Sequence, residues 1–80
     1  QYLGMEDYDR AIDIFRYNVE LYPGSANVYD SLGEALENAG RIDEAFASYS
    51  KAVKNAATIG DERIGIFKEN RDRAKKLVEE

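Results

Sequence analysis

The sequence predicts an all-α fold of antiparallel helix-turn-helix repeats, an α-solenoid of about one and a half repeats with a further helix at its C-terminal end. Three observations lead there. Apolar residues recur at i+3 and i+4 along most of the chain, which lines them up on one side of a helix. Strand signals are missing: there is no sustained alternation and no Asn-Gly or Asp-Gly hairpin pair. A shift of 34 residues lays one stretch of the chain over another, a period that suits a unit of two helices.

The elements follow in order. Over 8–22, Tyr8, Ala11, Ile12, Phe15, Val19 and Tyr22 form one apolar stripe, with Asp7 placed to cap the first turn and Pro23-Gly24 to end the helix. Over 26–39, Val28, Tyr29, Leu32, Ala35, Leu36 and Ala39 repeat the pattern, between Ser25 as N-cap and Gly40 at the left-handed C-terminal position. Over 42–56 the stripe is Ile42, Ala45, Phe46, Tyr49, Ala52, Val53 and Ala56. The last helix, 61–80, starts at Asp61-Glu62 after Gly60 and carries a narrower stripe of Ile64, Ile66, Phe67, Ala74, Leu77 and Val78. Its run from Lys68 to Arg73 is entirely polar and reads as a solvated outer face. The organisation expected is therefore repeats over 1–59, the first truncated and the second at 26–59, and a capping helix over 60–80.

The 34-residue shift pairs Asp9 with Asp43, Ala11 with Ala45, Phe15 with Tyr49 and Val19 with Val53, and places Tyr2 on Leu36 and Tyr8 on Ile42. These residues resemble a tetratricopeptide repeat. The first-helix pattern of large, Leu, small and large is met by Tyr29, Leu32, Gly33 and Leu36, and the second-helix pattern by Ala45, Tyr49 and Ala52. The preceding unit keeps Ala11, Phe15 and the terminal Pro23, with Asn18 where a small residue belongs, and Ala57 stands where the second proline would be. Gly33 and Ala45 suit a close helix approach, with Tyr29 and Tyr49 filling the space beside them. Carried onward, the register puts Phe67 where a glycine belongs, so the repeat pattern stops before the last helix. A narrower resemblance joins 22–35 and Gly60-Asp61-Glu62-Arg63 to the repeat tail of some bacterial serine hydrolases of esterase or β-lactamase-like type. It implies a catalytic domain upstream and a bacterial parent.

Composition excludes several chemistries. Eighty residues bound the chain to one small domain. The absence of His and Cys removes a histidine base, a thiol nucleophile, a disulfide and a zinc site of the usual nitrogen and sulfur ligands. Sixteen Asp+Glu against eleven Lys+Arg, a net charge of −5, oppose a nucleic-acid partner, which asks for a basic stripe. Apolar runs are far short of the roughly 18 residues of a membrane span. Gln1 in place of an initiator Met suggests a piece of a longer protein. Ser48-Tyr49-Ser50-Lys51 spells the S-x-x-K string of β-lactamase-like enzymes, but its companion elements are missing and Ser48 falls mid-helix. Asp7, Asp9 and Asp13 lack the loop glycine and distal glutamate of a calcium loop. No catalytic residue, cofactor or metal is expected.

The family resemblance implies instead a protein-protein interaction module, with the first helix of the complete repeat facing a concave groove. Its exposed positions are Asn27, Asp30, Glu34, Glu37 and Asn38, with Asp30, Glu34 and Glu37 on one helical face. Chaperone-binding members of the family clamp a terminal carboxylate with Lys and Asn. Asp30 and Glu34 stand there in this chain, so no such clamp is expected. An acidic groove asks for a basic or amide-rich protein or peptide segment. Tyr17, off the main stripe of its helix, is the contact candidate among the six tyrosines. The alternative role is self-association or buttressing of a parent chain. Residues 1–4 read as the tail of a lost first helix, which leaves Ile12, Phe15 and Val19 as an apolar flank needing cover from an upstream domain or a second copy.

Overall fold

The computed structural model describes residues 4–79, which form four helices: α1 (Gly4–Leu21), α2 (Ala26–Asn38), α3 (Ile42–Ile59) and α4 (Ile64–Glu79). There is no strand among the described residues. The helices follow one another as antiparallel neighbours: α2 packs on both α1 and α3, α4 packs on α3, and α4 also touches α2. The fold is an all-α helical repeat of the tetratricopeptide type.

Local chemistry accounts for each boundary. Ser25 has extended backbone and its Oγ accepts from the Val28 amide at 3.4 Å, which caps α2. Gly40, at φ 80°, closes α2: its amide donates to Glu37 O at 3.0 Å, and the Arg41 amide donates to Leu36 O at 2.9 Å, the paired bonds of a Schellman turn. Gly60, at φ 68°, does the same for α3, with the Asp61 amide on Ala56 O at 2.9 Å. Gly60 thus ends α3 rather than preceding α4, and α3 runs to Ile59 because Ala57 permits what Pro23 forbids after α1.

Two further boundaries differ from expectation. Asp7 lies inside α1, which begins at Gly4; its carboxylate there favours the helix through the N-terminal dipole rather than as a cap. Gly4 accordingly belongs to α1, and the expectations for Tyr2 and for a first-helix tail over 1–3 lie outside the described residues. α4 begins at Ile64, after a turn in which Asp61 Oδ1 accepts the Arg63 amide at 2.8 Å. The Arg63 guanidinium also bonds this carboxylate and, with that amide, holds its pKa below the ordinary value.

The core has two parts. Ile12, Leu32, Ala35, Leu36, Ala45, Tyr49 and Ala74 join all four helices, while Ala26, Ala52, Val53, Ala56 and Phe67 join the start of α2, the second half of α3 and the first half of α4. Buried Asn55 ties α3 to the loop between α1 and α2: its Nδ2 donates to Pro23 O at 3.0 Å and Ser25 O at 3.3 Å.

Candidate functional site

The helix crossing that shapes the site is α2 on α3. A Cβ built on Gly33 would lie 2.6 Å from Tyr49 Cδ1 and 2.7 Å from Cε1, so the ring occupies the space that any side chain at 33 would need. Tyr49 is fully buried, as are Ala45 and Ala52 on either side of it along α3. Leu32 and Leu36 are buried in the same seam, and Tyr29 is half-buried at its edge, with Lys51 Nζ 5.9 Å from its ring centroid.

At this crossing a polar cluster joins three helices. The Tyr49 hydroxyl donates to Glu37 Oε1 at 2.7 Å, and Arg73 donates to both Glu37 oxygens, from Nε at 2.9 Å and Nη2 at 2.7 Å. The Arg73 guanidinium is the main reason that Glu37 is held below the ordinary carboxylate pKa. Burial, followed by the bond to Glu37, pushes the Tyr49 hydroxyl well above its ordinary value. Beside this, Asn70 Nδ2 donates to Asp30 Oδ1 at 2.9 Å.

This arrangement corrects the picture of one free acidic face. Asp30 and Glu37 lie along the edge of α2 that meets α4, and Asn70 and Arg73 occupy them. The run from Lys68 to Arg73 is therefore not solvent-facing throughout: every third residue of it returns to α2. Asn70 and Arg73 stand at i, i+3 and share one face of α4, but nothing in periodicity says which helix that face meets. Glu34 and Asn38 lie on the other edge of α2, and Asn27 is exposed near its start.

That second edge borders a cleft of 320 Å³ between α1 and α2. Ala11, Phe15 and Ala35 give it an apolar floor, with Tyr8 at one side. Asp7 and Glu34 bring carboxylates to the rim, and Ser31 and Asn38 add neutral polar groups. Neither carboxylate has an ion-pair partner among the described residues. A separate cavity of 420 Å³ lies where α1 meets the start of α3, bounded by Asp9, Asp13, Arg16, Ile12 and Arg41. Both of its cations bond Glu44 outside the lining, Arg16 at 3.0 Å and Arg41 at 2.6 Å.

The apolar flank of α1 is also redrawn. Ile12 is 2% exposed and belongs to the core, because the α2–α3 pair reaches beneath it. Phe15 and Val19 pack against that core while staying partly open. Among the described side chains of α1, the large apolar ones left exposed are Ile14, Tyr17 and Leu21, at 60%, 62% and 51%. Ile14 and Leu21 lay off the stripe that periodicity picks out, at i, i+3 and i+7 with Tyr17, and a second stripe at that spacing was the available signal.

Residues 26–58 match the tetratricopeptide repeat family. The matched segment is α2, its Schellman turn and nearly all of α3, the pair closed by the Gly33–Tyr49 crossing. Among curated proteins, the peroxisomal targeting signal receptors of Eremothecium gossypii and Candida albicans are each 35% identical over 49 residues, 61% of this chain. The chain spans only 9% and 8% of the length of these relatives. No solved structure matches it. The tetratricopeptide match covers one helix pair, and the receptor likeness 49 residues. They give no support to a hydrolase tail.

No helix among the described residues is long and apolar enough to cross a membrane. Among the same residues, no group of three or more acidic side chains converges as a metal site would require. Ser48 is buried mid-α3, while Lys51 is turned toward the Tyr29 ring.

Proposed function

We propose that this chain is a non-catalytic interaction module that binds a basic or amide-rich peptide segment along the acidic edge of α2. The observation that carries this is the contrast between the two edges of that helix. On the α4 side, its carboxylates are met by an amide and a guanidinium from Asn70 and Arg73. On the α1 side, Glu34 and Asp7 rim a cleft with an apolar floor and have no such partner among the described residues. Electrostatic complementarity then selects a cation or an amide, and the floor accommodates the aliphatic stem behind it. The relatives' name, receptors for a targeting signal, supports recognition of a peptide. In this reading Asn27, Glu34 and Asn38 face the partner, Asp30 and Glu37 hold α4, and 60–80 acts as the cap of the repeat unit.

Selection of a random peptide library on the 80-residue chain tests the proposal. Enrichment of Lys, Arg, Asn and Gln, with binding lost on Glu34→Lys, is the expected result. Enrichment of acidic peptides, or indifference to that reversal, would overturn it.

A second reading rests on Ile14, Tyr17 and Leu21, an exposed apolar stripe suited to self-association or to buttressing a parent chain. Light scattering across a dilution series decides it. A concentration-dependent dimer that Tyr17→Glu abolishes supports this role, and a monomer at all concentrations removes it.

A further inference from the structure

We infer that Asn70 and Arg73 form a latch over the acidic face of α2, which a partner segment carrying an amide and a guanidinium about 10 Å apart displaces on binding. The inference rests on the interaction-module reading above and adds a control to it. The latch is bonded in series. Asp30 Oδ1 accepts from Asn70 Nδ2 at 2.9 Å, Asn70 Oδ1 accepts from Arg73 Nη1 at 3.0 Å, and Arg73 reaches both oxygens of Glu37. Release of one side chain from α2 therefore loosens the other. The place of α4 does not depend on them, because buried Phe67 and Ala74 seat it in the core. The latch also stands in water, with the Arg73 side chain 48% exposed. Exposed ion pairs shift an equilibrium by about fivefold or less, and the forked geometry puts this one near the upper end.

Arg73 has a second seat. An open hollow of 520 Å³ lies beside it, lined by Glu69, Asp72, Arg73 and Lys76. Glu69 is one turn back at i−4, bonded to no cation among the described residues, in the acid-before-cation order that a helix favours. The guanidinium thus has a carboxylate on either side of it, Glu37 on α2 and Glu69 on its own helix. With Arg73 turned to Glu69, the Tyr49 hydroxyl still holds Glu37 in place for an incoming donor. What that donor must be is read from the latch itself: an amide for Asp30 and a guanidinium for Glu37. These acids stand seven residues apart on α2, about 10.5 Å along the axis. Side chains three residues apart in an extended segment span about 10 Å, so an Asn-x-x-Arg spacing fits.

The blocked heptapeptide Arg-Ser-Ser-Asn-Ser-Ser-Arg offers that spacing in both directions and serves as the probe, labelled and titrated with the 80-residue chain by fluorescence anisotropy. The double variant Asn70→Ala, Arg73→Met should bind it about three- to fivefold more tightly than the parent. That gain should vanish when Asp30→Asn and Glu37→Gln are added. Glu69→Gln, which removes the second seat, should weaken binding to the parent and leave the double variant unchanged, a pattern that a merely structural α4 does not produce. Should the double variant lose cooperative melting, nuclear magnetic resonance of the parent gives the reading: the Asn70 side-chain amide and Arg73 Nε–H signals should shift with the binding midpoint. Equal or weaker binding to the double variant, or signals that stay still as peptide saturates the chain, would overturn the latch. Binding that Glu34→Lys abolishes but the double variant leaves unchanged keeps the interaction module and removes the latch. No binding to either chain also removes it, and the library selection then decides the module.

Discussion

α1 and α3 hold the same place in the repeat and carry matching residues, yet they live in different surroundings. α3 is clasped by α2 on one side and α4 on the other, and its central aromatic, Tyr49, is sealed from water. α1 packs chiefly on α2, with the exposed Arg16–Glu44 ion pair as its polar link to α3, and its counterpart Phe15 remains partly open. One half of the molecule shows what the repeat looks like when satisfied. The other shows what it still has to offer. The same sequence pattern is thus core in one place and candidate surface in the other, and only the neighbours decide which.

The strongest way to break this comparison is to remove the satisfied half. Gly33→Leu places a branched side chain where the Tyr49 ring already sits 2.6 Å from the nearest atom it would need, between two helices with no slack. Overpacking costs about 1–3 kcal/mol in larger cores that can shift. Total stability for a small domain is often only about 5 kcal/mol, so loss of cooperative unfolding by circular dichroism is expected. Retention of the parent melting temperature would mean that the α2–α3 crossing does not hold the fold.

Next in size is the paired truncation of the two aromatics. Tyr49→Ala empties a fully buried site and also leaves Glu37 without its hydroxyl donor, so a loss of about 3–5 kcal/mol is expected. Phe15→Ala, at a partly open site, should lose roughly half as much, because part of its surface is never removed from water. Urea unfolding of both variants checks the difference. Equal losses would place Phe15 in an environment as sealed as that of Tyr49.

How much of this was legible beforehand divides along the same line. The helices, the Ser25 cap, the Gly40 turn and the repeat register follow from local spacing and capping, which the chain carries residue by residue. What spacing cannot carry is which neighbour a face meets. Ile12 read as part of an open flank because its cover, the α2–α3 pair, is remote in sequence. Asp30, Glu34 and Glu37 read as one acidic face because their helical angles are close, while α4 divides them by taking only one edge. Asn55 gave no signal at all, since its partners are loop carbonyls about thirty residues away. The α1 start was missed because its first turn carries charge rather than the apolar period.

The polar link from α4 to α2 can be loosened by pH. Arg73 and the Tyr49 hydroxyl hold Glu37 below its ordinary pKa of 4.5 in the folded chain. A depressed folded value means that this carboxylate adds stability above the unfolded value and loses it as pH falls through the folded one. Glu37→Gln should therefore be less stable than the parent at pH 7, with the gap closing as pH drops below 4.5. A gap that persists unchanged at low pH would assign the effect to shape rather than charge.

The smallest effect is a gain. Gly65 sits in the first turn of α4 with open space where a Cβ would go, and its φ lies in the ordinary range. Alanine there should add up to about 1 kcal/mol by helix propensity alone. Gly60→Ala, the same change five residues earlier, should lose about as much, because φ 68° is costly for any residue with a Cβ. Hydrogen exchange makes the pair a probe of the comparison itself. A firmer α4 protects what it clasps, so Gly65→Ala should slow exchange in the second half of α3 and leave α1 near the parent rate. If α1 slowed equally, the two helices would open as one unit, and α1 would not be the loosely held half.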